Sequence, residues 1–285
     1  MKNLDAVIEE LMGTPPSRIR PEFTSDWAHV VRVEMPDGSV LAAKYPKAGA
    51  SSTTKLEARM LEYLGSKTEL PVPELMAATP EILLMSFIEG RGGLDEAAQK
   101  DAAVHIAKLH ELSSESFGFP FDTLYGPADQ PNPRTTSWVE FFRDQRLLQM
   151  ARVTAAAGRI SGRMLGRIEA FAGKLDDLIS EPVAPSLLHG DLWQGNVIVN
   201  EGRVAAFLDP AIYFGHAEMD LAFSTLFGTM TEPFFEVYNS YRTIEPDFFE
   251  VRKEIYNLWP LLGHVLFFGE SYLGQVEAVL RRHGV

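Results

Sequence analysis

The sequence predicts an α+β protein in two lobes, a small antiparallel sheet carrying one helix and then a larger, mainly helical part. Three observations predict it. Residues 28–45, AHVVRVEMPDGSVLAAKY, alternate on either side of Asp37-Gly38, a pair that favours the tight turn of a hairpin. The following SSTTKLEARMLEYLG places Glu57, Leu61 and Leu64 at i, i+4 and i+7, one stripe of a helix. From Asp95 onward the apolar spacing turns helical. The lobe boundary is expected near Gly90, giving residues 1–90 and 91–285.

Each element has its own warrant. In the hairpin, Val31 and Val33 share one face of the first strand, and Val40, Ala42 and Lys44 share one face of the second. Thr54 and Glu57 have capping-box spacing at the helix start, with Thr54 either the N-cap or a turn deeper than it. The stripe holding Glu57 is otherwise apolar, so its carboxylate is expected to point inward, where it needs a partner. EILLMSFIEG (81–90) reads as a buried strand with a flexible exit at Glu89-Gly90. Ala98, Ala102, Ile106 and Leu109 form a helical stripe with Asp95 as N-cap. Residues 117–137, FGFPFDTLYGPADQPNPRTTS, read as a long Pro/Gly/aromatic loop, and loops of that length in a compact domain tend to be functional. Helices are expected over about 138–150 and 160–180, then a second hairpin closing on Asp209, then helices to the end.

Composition narrows the function. With 46% apolar and 23% charged residues, the 285-residue chain can bury a substantial core. Its net charge of −13 would repel a phosphate backbone over most of the surface, so nucleic acid is not an expected partner. The absence of cysteine excludes disulfides, thiolate metal sites and a cysteine nucleophile. MKNLDAVIEE lacks the continuous apolar core of a signal peptide, and no run of about 18 apolar residues occurs. A soluble cytoplasmic protein, with no membrane partner, is expected. Nothing in the chain signals an oligomeric state.

The chemistry concentrates in LLHGDLWQGNVIVN (187–200). Apolar runs flank a loop carrying His189-x-Asp191-x-x-x-x-Asn196, and Asp209 follows at the end of VAAFLD. In phosphoryl-transfer sites, H-x-D-x-x-x-x-N supplies a base and a metal-binding amide, and a later Asp supplies the carboxylate for the metal. Magnesium takes hard oxygen ligands and keeps several waters, so one carboxylate, one amide oxygen and nucleotide phosphates suffice. Lys44, Glu57, Asp191, Asn196 and Asp209 occur in the order that this chemistry requires. A loop built on an Asx-turn with a satisfied core histidine is the bland alternative.

HGDLWQGN, followed by FLDPAIYFGHAEMDLAFSTLFG, resembles the fructosamine kinase (ketosamine-3-kinase) family, within the protein-kinase-like and aminoglycoside-phosphotransferase-like superfamily. FGFP, GPADQPNP and SWVEFFRDQRL resemble it too, so the likeness covers nearly the whole chain. The resemblance implies a bilobal protein-kinase-like fold, with a nucleotide-binding lobe first and a catalytic, substrate-binding lobe after it. It implies ATP and Mg²⁺ as cofactors and transfer of the γ-phosphoryl to the third-carbon hydroxyl of a ketosamine, free or protein-bound, which begins deglycation. Asp191 is then similar to the catalytic base, and Asn196 and Asp209 to the metal ligands. Lys44 resembles the phosphate-binding lysine and Glu57 its partner, while the backbone of Ser86 and Ile88, with Met85 beside it, resembles the adenine hinge. Trp193 stands where a sugar would enter, and His216 and Glu218 are either substrate contacts or scaffold. Asp220 and His189 are implied to brace the loop.

The phosphate-covering turn departs from the glycine-rich pattern. It reads FTSDWAHV, with Ser25 as the candidate phosphate contact. The rival readings are another small-molecule kinase on the same scaffold, acting on an aminoglycoside, choline or homoserine, and a nucleotide-binding pseudokinase. The long loop and Trp193 favour the ketosamine, and the complete residue set disfavours the pseudokinase.

Overall fold

The computed structural model describes residues 4–285. Residues 1–3, the start of the segment in which no signal-peptide core was found, lie outside it. The chain divides into two compact units. One runs to Gly93 and also takes Val197–Pro210; the other comprises Leu94–Asn196 and Ala211–Val285. A single linear boundary near Gly90 does not contain that return of the chain.

The first unit begins with α1 (Leu4–Met12), β1 (Arg18–Thr24), β2 (Ala28–Glu34) and β3 (Val40–Pro46). It continues with α2 (Thr54–Lys67), β4 (Leu75–Ala78) and β5 (Leu83–Ser86). The strands form a five-stranded sheet in the order β1-β2-β3-β5-β4, with antiparallel neighbours throughout. The hairpin at Asp37-Gly38 pairs Val31 with Ala43 and Val33 with Leu41. Strand alternation then splits the side chains into two layers. Val31, Val33, Leu41, Ala43 and Leu84 pack with Ile8 of α1 on one face. Ala42, Leu83 and Met85 pack with Ala58 and Leu61 of α2 on the other. Neither α1 nor β1 was anticipated. β1 is almost wholly exposed, contains Pro21 and shifts register there, so it lacks the alternation that marks a strand.

Thr54 lies past the N-cap, and no capping box forms. Thr53 is the N-cap of α2, and the Thr54 hydroxyl donates to the Thr79 carbonyl. Glu57 is thereby released from a capping role.

The second unit opens with α3 (Glu96–Glu111), capped as expected by the Asp95 carboxylate accepting from the Ala98 N–H. The 117–137 segment is less irregular than expected, because β6 (Thr123–Tyr125) and β7 (Ala128–Gln130) make a hairpin within it. Buried Asn132 then ties the return of the chain to Phe121 and Thr123. The helix expected over 138–150 is α4 (Trp138–Phe141), a π-helical turn (Phe142–Leu148) and α5 (Gln149–Ala156). The next expected helix ends early, as α6 (Gly162–Ala172). β8 (Ser186–Leu188) pairs with β11 (Tyr213–Gly215). The second hairpin, β9 (Val197–Asn200) and β10 (Arg203–Phe207), belongs to the first unit, where Arg91 donates to Val199 and Phe207 to Pro71. α7 (Glu218–Thr225), α8 (Glu232–Tyr241), α9 (Lys253–Phe268) and α10 (Leu273–Arg282) complete the unit, with α3 packed on α8 and α7 on α9. No helix of the described residues is long and apolar enough to cross a membrane.

Candidate active site

In the first unit, register puts Lys44 on the same face of β3 as Ala42, the face that α2 covers. Glu57 is on the buried side of α2, so the two charges meet: Lys44 Nζ donates to Glu57 Oε1 at 2.8 Å. It donates also to Asp209 Oδ1 at 2.7 Å, just beyond β10. One ammonium therefore serves two carboxylates. Burial pulls the Lys44 ammonium down, but the charges of Asp209 and Glu57 outweigh it and hold its pKa above the ordinary lysine value. Burial pushes the Glu57 carboxyl up, to about 7, against the pull of Lys44 and with the Asp209 charge adding to the rise. Asp209 has φ +49°, a left-handed backbone rare outside glycine, and its side chain is half exposed.

Ser25 sits in the turn between β1 and β2. Its Oγ accepts from the Ala28 N–H at 3.0 Å, and its backbone N–H donates to the Ala28 carbonyl, so the serine first of all closes the turn. In β5, the Ser86 N–H donates to the Glu74 carbonyl and the Ser86 Oγ accepts from the Glu74 N–H. Met85 is buried against α2, and Ile88 lies just past the strand, partly buried.

In the second unit, β8 leads into His189-Gly190-Asp191. Gly190 has φ +82°, and a Cβ there would stand 2.1 Å from the Ala211 carbonyl, so only glycine fits. The Ala211 N–H donates to the His189 carbonyl at 2.8 Å. Buried Asp220, in the first turn of α7, accepts from the His189 and Gly190 N–H groups at 2.7 and 2.8 Å. It is backed by His110 Nε2 at 3.1 Å, and His110 Nδ1 in turn meets the Tyr238 hydroxyl at 2.7 Å. His189 is fully buried and its Nδ1 accepts from the Asp191 N–H at 3.3 Å. Asn196 Nδ2 donates to both the Asp191 carbonyl and Asp191 Oδ2, each at 2.9 Å. That orientation commits the amide nitrogen and leaves the Asn196 carbonyl oxygen as the group for a cation. Trp193 folds back over Gly195, where a Cβ would strike the indole at 2.3 Å.

His216 and Glu218 are both buried. Glu218 holds Arg252 in a two-pronged pair at 2.7 Å each. His216 packs against Trp138 and Tyr256, and its Nδ1 accepts from the Glu218 N–H. Burial drives its pKa down to about 3, with Arg252 and Arg242 adding to the fall. Among the described residues no three or more of His, Cys, Asp and Glu gather as a metal cluster.

Two contributors carry no signal in the sequence. Buried Gln130 donates from Nε2 to the Ala211 carbonyl at 2.9 Å and to Thr123 Oγ1 at 2.7 Å, joining the 117–137 segment to the residue that holds His189. Phe227 stands beside Trp193, ring centroids 5.9 Å apart. Both relationships exist only in three dimensions.

A sheet-borne lysine–glutamate pair, an HGD loop tied to an asparagine, and a helical second unit define a protein of the kinase-like phosphotransferase class. The fructosamine kinase family model matches residues 37–283, and the chain belongs to that family. It is 33% identical over 234 residues to a probable ketoamine kinase of Synechocystis sp., covering 79% of this chain and 77% of that protein. It is 31% identical over 286 residues to the probable ketoamine kinase YniA of Escherichia coli K12, covering 93% and 97%. The crystal structure of a candidate fructosamine-3-kinase from Thermobifida fusca superposes with a TM-score of 0.88 at 29% identity, over 99% of this chain and 98% of that one. An aminoglycoside phosphotransferase crystallised with ADP and hygromycin B superposes at 0.69 with 15% identity over 99% of each chain, a likeness of fold alone.

Proposed function

We propose that the protein transfers the γ-phosphoryl group of ATP to the third-carbon hydroxyl of a ketosamine, free or protein-bound, and so starts removal of the sugar from the amine. The observation that carries this reading is the family match over residues 37–283 with Asp191 intact in a fully braced loop. Asp191 orients the acceptor hydroxyl and takes its proton as the oxygen attacks the γ-phosphorus, and the bridging oxygen leaves with ADP. Lys44, held by Glu57, meets phosphate charge, and the hinge backbone at Ser86 and Ile88, beside Met85, receives adenine. Ser25 serves the phosphates through the turn that it closes. Asn196, through its carbonyl oxygen, and Asp209, through its carboxylate, hold Mg²⁺; when bound, the ion neutralises charge on the phosphate oxygens. Trp193 packs on the sugar. For His216 and Glu218 the burial and the Arg252 pair favour scaffold over substrate contact. Because the donor is ATP, we place the activity in the cytoplasm.

The test is ADP release by the purified protein with Mg-ATP and fructosyl- or ribulosyl-amines, set against aminoglycosides, choline and homoserine, with ³¹P NMR of the product. Turnover is expected with the ketosamines and phosphorylation at the third carbon. An aminoglycoside, choline or homoserine used ten times better would overturn the substrate reading, and no acceptor-dependent ADP release at all would indicate the pseudokinase.

A further inference from the structure

The second unit carries an aromatic wall beside the Asp191 loop, and its least explained member is Phe227. After α7 the chain makes a short 3₁₀ turn (Leu226–Gly228) in which Phe227 has φ 67° and ψ 8°. A residue with a Cβ rarely adopts that left-handed conformation, and such outliers point to a function when packing does not account for them. Packing accounts for this one only in part: Phe227 touches neighbouring rings but is 48% exposed, so the left-handed backbone holds a phenyl ring half open to solvent.

The ring has company. Trp193 meets it nearly edge-on, with an interplanar angle of 66°. Tyr272 lies at 6.4 Å and 86°, and His264 at 5.2 Å. His264 and Tyr272 are themselves 5.0 Å apart. Asp191 stands two residues before Trp193 in the same loop, and its charge adds to the rise that burial imposes on the Tyr125 phenol. Tyr125 Oη in turn lies 3.4 Å from His264 Nδ1. His264 Nδ1 donates to the Pro260 carbonyl at 2.7 Å, and burial holds the imidazole below its ordinary pKa, so it stands there neutral. The wall thus offers electron-rich ring faces, a neutral imidazole and a neighbouring carboxylate. That combination selects for a cation, because the faces of Trp, Tyr and Phe attract ammonium groups.

We propose that Phe227, with Tyr272, His264 and Trp193, seats the amine arm of the ketosamine, and that Phe227 is a specificity-determining residue that recognises its secondary ammonium. This rests on the ketosamine reading above. Trp193 covers the sugar, and the other three rings take the charged nitrogen and the first carbons of the amine substituent. The left-handed turn is what turns the phenyl ring outward.

The test uses two acceptors that share the sugar and its chain length: 1-deoxy-1-butylamino-fructose, a cation at pH 7, and 1-O-butyl-fructose, its neutral ether. Wild type is expected to prefer the amine in kcat/KM by about tenfold or more, the scale of one cation–π contact. Phe227→Leu should raise KM for the amine and bring the preference toward one, while Phe227→Trp should keep most of it. Phe227→Gly supplies the readout that separates function from packing. Glycine relieves the left-handed turn, so this variant should melt at or above the wild-type temperature and still lose the preference. A fall of Tm accompanied by equal losses on both acceptors would show that the ring only packs and would overturn the proposal. A wild-type enzyme that uses amine and ether equally well would overturn it too. Failure of wild type on every ketosamine would instead defeat the substrate reading, and the proposed seat with it.

Discussion

Lys44 has two carboxylates within 2.8 Å, and the balance between them governs its chemistry. Glu57 is the buried one, and its folded-state pKa of about 7 lies above its ordinary 4.5. A raised carboxyl pKa contributes stability that is fully present below the unfolded value and is lost as pH rises through the folded one. The wild-type protein should therefore lose on the order of 2–3 kcal/mol from this group between pH 4.5 and 7.5. Glu57→Gln cannot titrate. Melting both proteins across that range isolates the group, since the buried histidines are common to both. The advantage of wild type over variant should shrink as pH rises, by about 5 °C. An advantage that grows with pH would refute the assignment. Turnover of the variant should drop at least about tenfold at pH 7.5, because an uncharged amide holds the ammonium less firmly. The two aspartates should fail differently. Asp191→Asn should lose about a hundredfold or more in kcat, the scale of general-base catalysis, and keep a magnesium-dependent rise of Tm with ATP. Asp209→Asn should lose that rise as well, because an amide is a poor ligand for a hard dication. The reverse pattern would exchange their roles.

At the scale of elements, the 117–137 segment and the π-helical turn after α4 act as one brace. The turn carries Arg146, which is fully buried. Its guanidinium donates to the Pro131 carbonyl at 2.9 Å and to Asn132 Oδ1 at 2.6 Å, and it stacks 3.8 Å from the Tyr213 ring of β11. Tyr213 pairs with Leu188, the residue before His189. The segment that reads in sequence as a long functional loop thus reaches the HGD motif twice, through Arg146 and through Gln130. Arg146→Lys should lower Tm by about 5–10 °C, since an ammonium keeps the buried charge but cannot fork to both acceptors and stack on the ring. Circular dichroism melting reads this directly. A variant melting with wild type would show that the fork and the stack contribute nothing.

For the molecule as a whole, the net charge of −13 and the cationic acceptor make one prediction together. A negative surface raises the local concentration of a cation, and salt screens that attraction beyond about 8–10 Å. Raising ionic strength from about 20 to 300 mM should lower kcat/KM for an alkylamine ketosamine by about two- to fivefold and leave the neutral ether nearly unchanged. Stopped-time ADP assays at matched magnesium suffice, and equal salt effects on both acceptors would exclude steering. Binding of Mg-ATP at a hundredfold excess over Kd should stabilise the fold by about 2.7 kcal/mol.

The inward face of Glu57 and its need of a partner were legible in the chain, because helix periodicity fixes faces locally, while Lys44 as that partner came from the family resemblance. The hairpin at Asp37-Gly38, the Asp95 cap and the order His189, Asp191, Asn196, Asp209 were legible for the same reason: each is a local pattern whose spacing carries its geometry. The family could be read from HGDLWQGN and the string after Asp209. What tertiary structure alone decided lies between residues distant in sequence. Gln130 finds the Ala211 carbonyl 81 positions away, Arg146 finds Tyr213, and Glu218 chooses Arg252. The hairpin Val197–Pro210 joins the first unit despite its place in the second half of the chain. Phe227 looks like any apolar residue after a helix, and only its left-handed backbone and half-bare ring set it apart. Periodicity reports which face a side chain takes, but its partner is chosen by long-range packing and by the need to satisfy each buried polar group, and neither is written in local spacing.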